Sequence, residues 1–323
     1  MKVAVTGGSG VVGKAVIRHL VAAGHDVRAL ARSTASAAVV EELAARPVAG
    51  TVLDGRSLEA LVEGCDWVFH VAGVNEMCLI DPSPMWEVNV DGTMHVLEAC
   101  HRAGVGRLIH TSSAVTIGEE QGTIGTETSR HRGQFQSEYE RSKTVAERLV
   151  LDRAHDLEVV AVNPSSVQGP GRSSGTGALL LAIARGNLPV LVDTTLSIVD
   201  IDDCARGHLL AAERGEPGER YILSGPVITV REGVASMNRI LGRHTRPWFL
   251  RPRVIEVAAP IAEGLARALG RPPLLCPESA RVLLSGHHYS GDKATRELGL
   301  DYTSLEETLS RTITWFRQEG FLS

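Results

Sequence analysis

The chain has 323 residues, 43% of them hydrophobic, and a net charge of −5. That is enough for a large core, in one big domain or two sharing a cleft. The mild acidity and the lack of any dense Lys/Arg run argue against nucleic acid and anionic membrane as main partners.

A strand-like run beginning at Lys2 leaves no room for a secretion signal, and no stretch approaches 18 uninterrupted apolar residues, so a soluble, cytoplasmic protein is expected. Val3-Ala4-Val5 reads as a first strand. A helix to Ala23 follows, with Val12, Val16 and Leu20 recurring every four residues and Gly24 as its stop. Val27 to Leu30, the run ending Val52-Leu53-Asp54, Trp67-Val68-Phe69 and Arg107-Leu108-Ile109 continue the pattern. Such alternation predicts βαβ units and a parallel sheet with helices on both faces. Gly118 to Glu138 is polar and rich in Gly and Thr, which predicts a loop. Val159 to Val162 and Tyr221 to Leu223 read as later strands of the same sheet. The main domain is therefore expected over 1–168, with 194–225 returning to it. Residues 169–193 and the Arg- and Pro-rich stretch 226–289 form a smaller interleaved lobe, and 290–323 a C-terminal helical segment.

Five cysteines (Cys65, Cys78, Cys100, Cys204, Cys276) are scattered and never spaced Cys-x-x-Cys, so all are expected to be reduced, with neither a disulfide framework nor a zinc site. Twelve histidines include no His-x-x-x-His pair beside an acid, and His287-His288 lacks a third ligand, so no metal is expected. His70, at a strand end, reads as a satisfied structural histidine. Asp202-Asp203 and Glu306-Glu307 read as helix-start acids near Ser197 and Ser304, not as a carboxylate dyad. The absence of a Gly-x-Ser-x-Gly elbow disfavours an esterase.

Three signals converge on one ligand. Thr6-Gly7-Gly8-Ser9-Gly10-Val11-Val12-Gly13 follows a strand and opens a helix. Small residues there permit a tight turn, a pyrophosphate at the helix N-terminus and close helix–strand packing. Gly7, Gly10, Val11, Val12 and Gly13 are thus candidate cofactor contacts in a dinucleotide-binding domain. The second strand ends Ala31-Arg32-Ser33, where an NAD site usually carries an acid for the ribose hydroxyls. Arg32, with Ser33 and Arg28 as helpers, instead fits a 2′-phosphate, so NADP is expected over NAD. Asp54 falls where the adenine should lie, or caps the helix after it.

Tyr139 and Lys143 are the third signal. A spacing of four puts phenol and ammonium on one helix face, where the ammonium is expected to lower the phenol pKa from about 10. Such a tyrosine gives or takes a proton near neutral pH, which a carbonyl reductase needs. Alone, the pair recurs by chance on solvated helix faces; the glycine loop and Ser113 at a strand end give it meaning.

Seven ordered motifs resemble the extended short-chain dehydrogenases/reductases, also called the NAD-dependent epimerase/dehydratase family. They are Thr6 to Gly13, Phe69-His70-Val71-Ala72-Gly73, Asn89-Val90-Asp91-Gly92-Thr93, Thr111-Ser112-Ser113, Tyr139-x-x-x-Lys143, Asn163 to Gly171 and Val199-Asp200-Ile201-Asp202-Asp203. Within the family the chain is most similar to dihydroflavonol-reductase-like enzymes and the hopanoid-associated sugar epimerase group. The resemblance implies a Rossmann-type doubly wound α/β fold with a smaller substrate-binding lobe, and a homodimer through the helices around Met94 and Val145. It implies that Ser113 polarises a substrate carbonyl, Tyr139 handles the hydroxyl proton, and Lys143 holds the nicotinamide ribose and tunes Tyr139. Val71, Ala72, Gly73, Asn163, Pro164 and Ser166 would line the cofactor. Ile117-Gly118 stands where many sugar-nucleotide members carry Tyr-Gly. The expected activity is an NADP-dependent oxidoreductase acting on a ketone or aldehyde and its alcohol. The alternatives are an NAD-dependent nucleotide-sugar epimerase or dehydratase, and a non-catalytic dinucleotide sensor.

Overall fold

Val159, Val160, Ala161 and Val162 form an unbroken apolar run, and none of the four reaches solvent. A strand apolar on both faces needs cover above and below, the condition of a parallel sheet between helix layers. The computed structural model, which describes residues 1–271, 273 and 275–322, has that arrangement. Its first half runs β1 (Lys2–Thr6), α1 (Val11–Ala22), β2 (Asp26–Ala31), α2 (Thr34–Glu42), β3 (Arg46–Ala49), α3 (Gly55–Val62) and β4 (Trp67–His70). Then come α4 (Ser83–Trp86), α5 (Gly92–Ala103), β5 (Arg107–Thr111), α6 (Glu138–Leu151) and β6 (Glu158–Pro164). The second half runs β7 (Ser166–Gln168), α7 (Thr176–Arg185), β8 (Val190–Val192), β9 (Thr195–Asp200), α8 (Ile201–Arg214) and β10 (Arg220–Leu223). It ends with β11 (Val227–Thr229), α9 (Val230–Leu241), β12 (Trp248–Leu250), α10 (Pro252–Ala268), α11 (Pro277–Ser285) and α12 (Leu305–Gln318).

Seven parallel strands make the main sheet in the order β10-β6-β5-β4-β1-β2-β3. Alternate residues of each strand feed two separate cores. Val3, Val5, Phe69, Ile109, Val160 and Val162 pack with α1 and α8, while Ala4, Val68, Leu108 and Val159 pack with α3 and α5. Strand order reverses between β1 and β4, and in doubly wound sheets ligands bind at the carboxyl ends of the strands beside such a switch. The glycine loop leaves β1 there, and Val71 to Gly73 leave β4.

Beyond the main sheet, β11, β9 and β7 form a three-stranded sheet, and β8 pairs with β12. Residues 169–193 carry α7 and β8, and residues 226–289 carry β11, α9, β12, α10 and α11.

Four local expectations need correction. The run ending at Asp54 is not strand: β3 stops at Ala49, and Asp54 caps α3 by accepting the Arg56 amide at 3.2 Å. Asp200, not Ser197, caps α8, with Asp202 and Asp203 in its first turn, while Ser304 caps α12 as expected. Arg28 does not turn toward a phosphate, because its guanidinium ties β2 to the end of α3 through the carbonyls of Ala60 and Glu63. The cysteines are not all free. Cys78, beyond β4, is bonded to Cys276 at the N-cap of α11, 198 residues away, and only Cys65, Cys100 and Cys204 are buried free thiols. A pairing made by tertiary folding leaves no spacing signal in sequence. Glu278 lies beside this bridge, and its two carboxylate oxygens accept the amides of Cys78 and Glu138 at 2.7 Å each.

Candidate active site

Thr6 ends β1 and Val11 begins α1, so the chain must reverse within four residues. Gly7 has φ +71°, and a Cβ there would stand 2.6 Å from the Ala72 nitrogen, so only glycine lets the two loops touch. A Cβ at Gly13 would overlap the Gly7 carbonyl oxygen. Gly10 caps α1 without any side-chain hydrogen bond, leaving first-turn amides for an anion at the positive end of the helix. The cradle fits a pyrophosphate. Gly13→Ala is expected to cost about 1–3 kcal/mol of stability by overpacking and to abolish measurable cofactor binding, read by thermal melting and NADPH fluorescence titration.

Val71 and Ala72 donate to the Thr6 carbonyl and hydroxyl, both at 3.2 Å. A Cβ at Gly73 would lie 3.3 Å from Asn89 Oδ1 and 3.9 Å from Lys143 Nζ, which puts this backbone against the Lys143 side chain of α6. His70 is satisfied as expected, by Thr6 at 2.7 Å and Thr93 at 2.9 Å, and burial pulls its pKa down to about 3.

Arg32 is exposed, with no hydrogen bond or ion pair among the described residues. It stands just before α2, whose N-cap Ser33 closes a capping box with Ser36 and whose first turn holds no acid. A cation at a helix N-terminus free of acids favours an added phosphate.

Ser113 follows β5 by two residues with an extended backbone. Its carbonyl is taken by the hydroxyl of Thr116 at 2.8 Å and the amide of Asn163 at 3.3 Å, which fixes where its hydroxyl projects. Ser137 caps α6 by accepting the Glu140 amide at 3.0 Å, and Glu138 and Glu140 complement the helix dipole. Tyr139, Lys143 and Glu147 then occupy successive turns. The Lys143 ammonium, almost wholly buried, donates to the Thr111 carbonyl at 2.8 Å. Burial lowers its pKa to about 8 against the opposing pull of Glu147.

The expected lowering of the Tyr139 pKa does not occur. Burial raises it, outweighing a hydrogen bond from Ser113 and the nearby Arg172 guanidinium, which both favour the phenolate. Desolvation wins because the Lys143 ammonium is turned to Thr111 instead. The phenol is protonated at neutral pH.

Asn163, at the end of β6, joins this group from below. Its amide donates to Thr116 at 3.0 Å and to Glu147, which also accepts from Thr116 at 3.0 Å and pairs with Arg220 at 3.0 Å. Asn163 Oδ1 and Ser165 Oγ are buried with no partner among the described residues. These atoms, next to Pro164 and Ser166, suit a ring amide such as that of nicotinamide. Ser166 Oγ accepts from Gln168 at 2.9 Å.

Two members of the group were not anticipated. Glu147 could have been found as a third polar residue on the Tyr139–Lys143 face. Arg172, from the loop after β7, had no signal beyond its place behind Pro170-Gly171.

Comparison with known proteins follows the same lines. The sequence profile of the NAD dependent epimerase/dehydratase family matches residues 3–224. A provisionally named dihydroflavonol 4-reductase of Synechocystis sp. is 32% identical, covering 98% of this chain and 95% of that protein. The 2-alkyl-3-oxoalkanoate reductase of Stenotrophomonas maltophilia is 31% identical over 96% and 98%. The crystal structure of gox2253 shares 35% identity with a TM-score of 0.88, covering 99% of both chains. From its glycine loop to its Tyr-Lys helix, the chain belongs to the NAD-dependent epimerase/dehydratase family, the extended short-chain dehydrogenases/reductases.

Proposed function

We propose that the chain is an NADP-dependent oxidoreductase that interconverts a ketone or aldehyde with its alcohol through Ser113, Tyr139 and Lys143. The observation that carries this reading is a protonated, desolvated Tyr139 phenol beside Ser113, on the helix whose Lys143 lies against Gly73. When bound, the cofactor supplies the hydride in reduction and accepts it in oxidation. Gly7, Gly10, Val11, Val12 and Gly13 hold its pyrophosphate, Arg32 and Ser33 its 2′-phosphate, and Asp54 flanks the adenine. Val71, Ala72 and Gly73 approach through backbone, Lys143 holds the ribose, and Asn163, Pro164 and Ser166 line the nicotinamide. Ser113 and Tyr139 donate hydrogen bonds to the substrate oxygen. Tyr139 then gives its proton to that oxygen as negative charge develops there, and Ser113 and Arg172 stabilise the phenolate left behind. The segments 169–193 and 226–289 shape the substrate side, and the α5 and α6 faces around Met94 and Val145 form a homodimer.

The test is oxidation of NADPH and NADH across ketones, aldehydes and nucleotide sugars. Net NADPH consumption with a ketone or aldehyde is expected. Turnover of a nucleotide sugar without net cofactor consumption would replace this reading with an epimerase. Arg32→Glu is expected to weaken NADPH binding by roughly ten- to a hundredfold, the scale of one lost charge-assisted contact, and to leave NADH almost unchanged. Tighter binding of NADH than NADPH to the unaltered protein would sink the Arg32 assignment.

A further inference from the structure

Helix α10 buries Ile255 and Ala259 against Ala280 of α11, with Val192, Leu250 and Leu284 packed around them. The other side of the helix is also apolar. Val254, Val257, Ile261 and Leu265, with Leu269 just past the last turn, follow one another at spacings of three and four and so share one stripe. These five side chains are 48% to 70% exposed. Trp248, which precedes the helix in β12, is 79% exposed and pairs in register with Val190, itself 41% exposed. Lone exposed apolar residues are ordinary, but a continuous stripe of this length marks a contact surface.

The charge around the stripe indicates what it contacts. Glu256 and Glu263 fall off the stripe, and Glu263 is paired with Arg267 at 2.6 Å. Arg246, Arg251, Arg253 and Arg271 flank its two ends, all exposed, and their guanidiniums make no hydrogen bond or ion pair among the described residues. Residues 239–271 hold seven arginines and two glutamates in a chain whose net charge is −5. We propose that this face docks on an anionic lipid bilayer, with α10 lying in the headgroup plane, its apolar stripe turned to the acyl boundary and its arginines on lipid phosphates. A second copy related by a twofold axis fits less well, because it would bring the same arginines face to face. No described helix is long and apolar enough to cross a membrane, so the contact is interfacial. The expectation of no membrane partner rests on the absence of a dense basic run, whereas these arginines are spread along the sequence and border the stripe at its two ends. Helix α11 connects this face to α6 through Glu278, which accepts the Glu138 amide at 2.7 Å.

Flotation with vesicles of phosphatidylcholine, alone or mixed with phosphatidylglycerol, tests the proposal. Binding to the anionic vesicles is expected to be about tenfold or more stronger than to phosphatidylcholine alone, and to fall as salt is added. Val257→Glu combined with Leu265→Glu should abolish it, while circular dichroism and the thermal melt stay unchanged, because both positions are exposed. Arg251→Gln, Arg253→Gln and Arg271→Gln together should leave only weak, salt-insensitive binding. Three results would overturn the proposal: no flotation with anionic vesicles; binding that survives both glutamates; or, without vesicle binding, a dimer in sedimentation velocity that the glutamates dissolve.

Discussion

Tyr139→Phe is expected to lower turnover by about 10²- to 10⁴-fold, the range for removing a positioned proton donor, with NADPH affinity changed little. The phenyl ring keeps the packing of a half-buried residue in the first turn of α6 and removes only the acid. Stopped-flow or steady-state rates beside a fluorescence titration separate the two quantities. Retained turnover with intact cofactor binding would refute the assignment of Tyr139 as proton donor. The raised pKa of the phenol also sets a pH signature. A proton donor that ionises only above pH 10 leaves carbonyl reduction insensitive to tyrosine ionisation between about pH 6 and 9, whereas alcohol oxidation, which needs the phenolate, climbs with pH throughout that range. An oxidation rate that levels off near pH 7 would mean that cofactor binding reverses the shift.

Lys143→Met should have two opposite effects: turnover falls by a hundredfold or more, while the apoprotein melts at a higher temperature at pH 7. The folded-state pKa of Lys143 is depressed from 10.5 to about 8, so burial of this ammonium opposes folding. At pH 7 both folded and unfolded chains carry the proton, and the native state bears the full penalty of roughly 3 kcal/mol. Loss of the hydrogen bond to Thr111 offsets about 1 kcal/mol of the gain. As pH rises through 8 the folded protein sheds the proton while the unfolded chain keeps it. Wild-type stability therefore recovers between about pH 8 and 10.5, and the advantage of methionine disappears across that window. Thermal melts of the two proteins from pH 6 to 10 check this, and a variant that melts lower at pH 7 would contradict it.

What could be read from the sequence was whatever a local pattern encodes. Alternating residues such as Val3, Ala4 and Val5 must serve two cores at once, so their apolar runs announced a covered parallel sheet. The glycines at 7, 10 and 13 and the four-residue step from Tyr139 to Lys143 are likewise fixed by geometry within one turn. Properties that depend on distant partners were not readable. The ionisation of Tyr139 turns on how deeply its phenol is buried, which outweighs both Ser113 and Arg172, so a rule for an isolated helix gives the wrong direction. Apolar Val52 and Leu53 make the run to Asp54 look like a strand, although they lie in a turn. The apolar stripe of α10 is not legible in the Arg- and Pro-rich stretch 226–289, since spacing cannot tell an inward face from an outward one.

The Cys78–Cys276 bridge has a mechanical consequence. It pins the loop beyond β4 to the N-terminus of α11, and at the same point Glu278 grips the first residue of the Tyr139 helix. Three segments from distant parts of the chain meet in one riveted joint, one residue away from Tyr139. With that joint fixed, α11 and the loop beyond β4 are held together and to the start of the Tyr139 helix. The polar loop between Gly118 and Ser137 is tied to α11 farther along, where the Gln136 amide donates to Ser285 and the Gly125 amide to the His288 carbonyl, so α11 clamps the approach to Tyr139 at both of its ends.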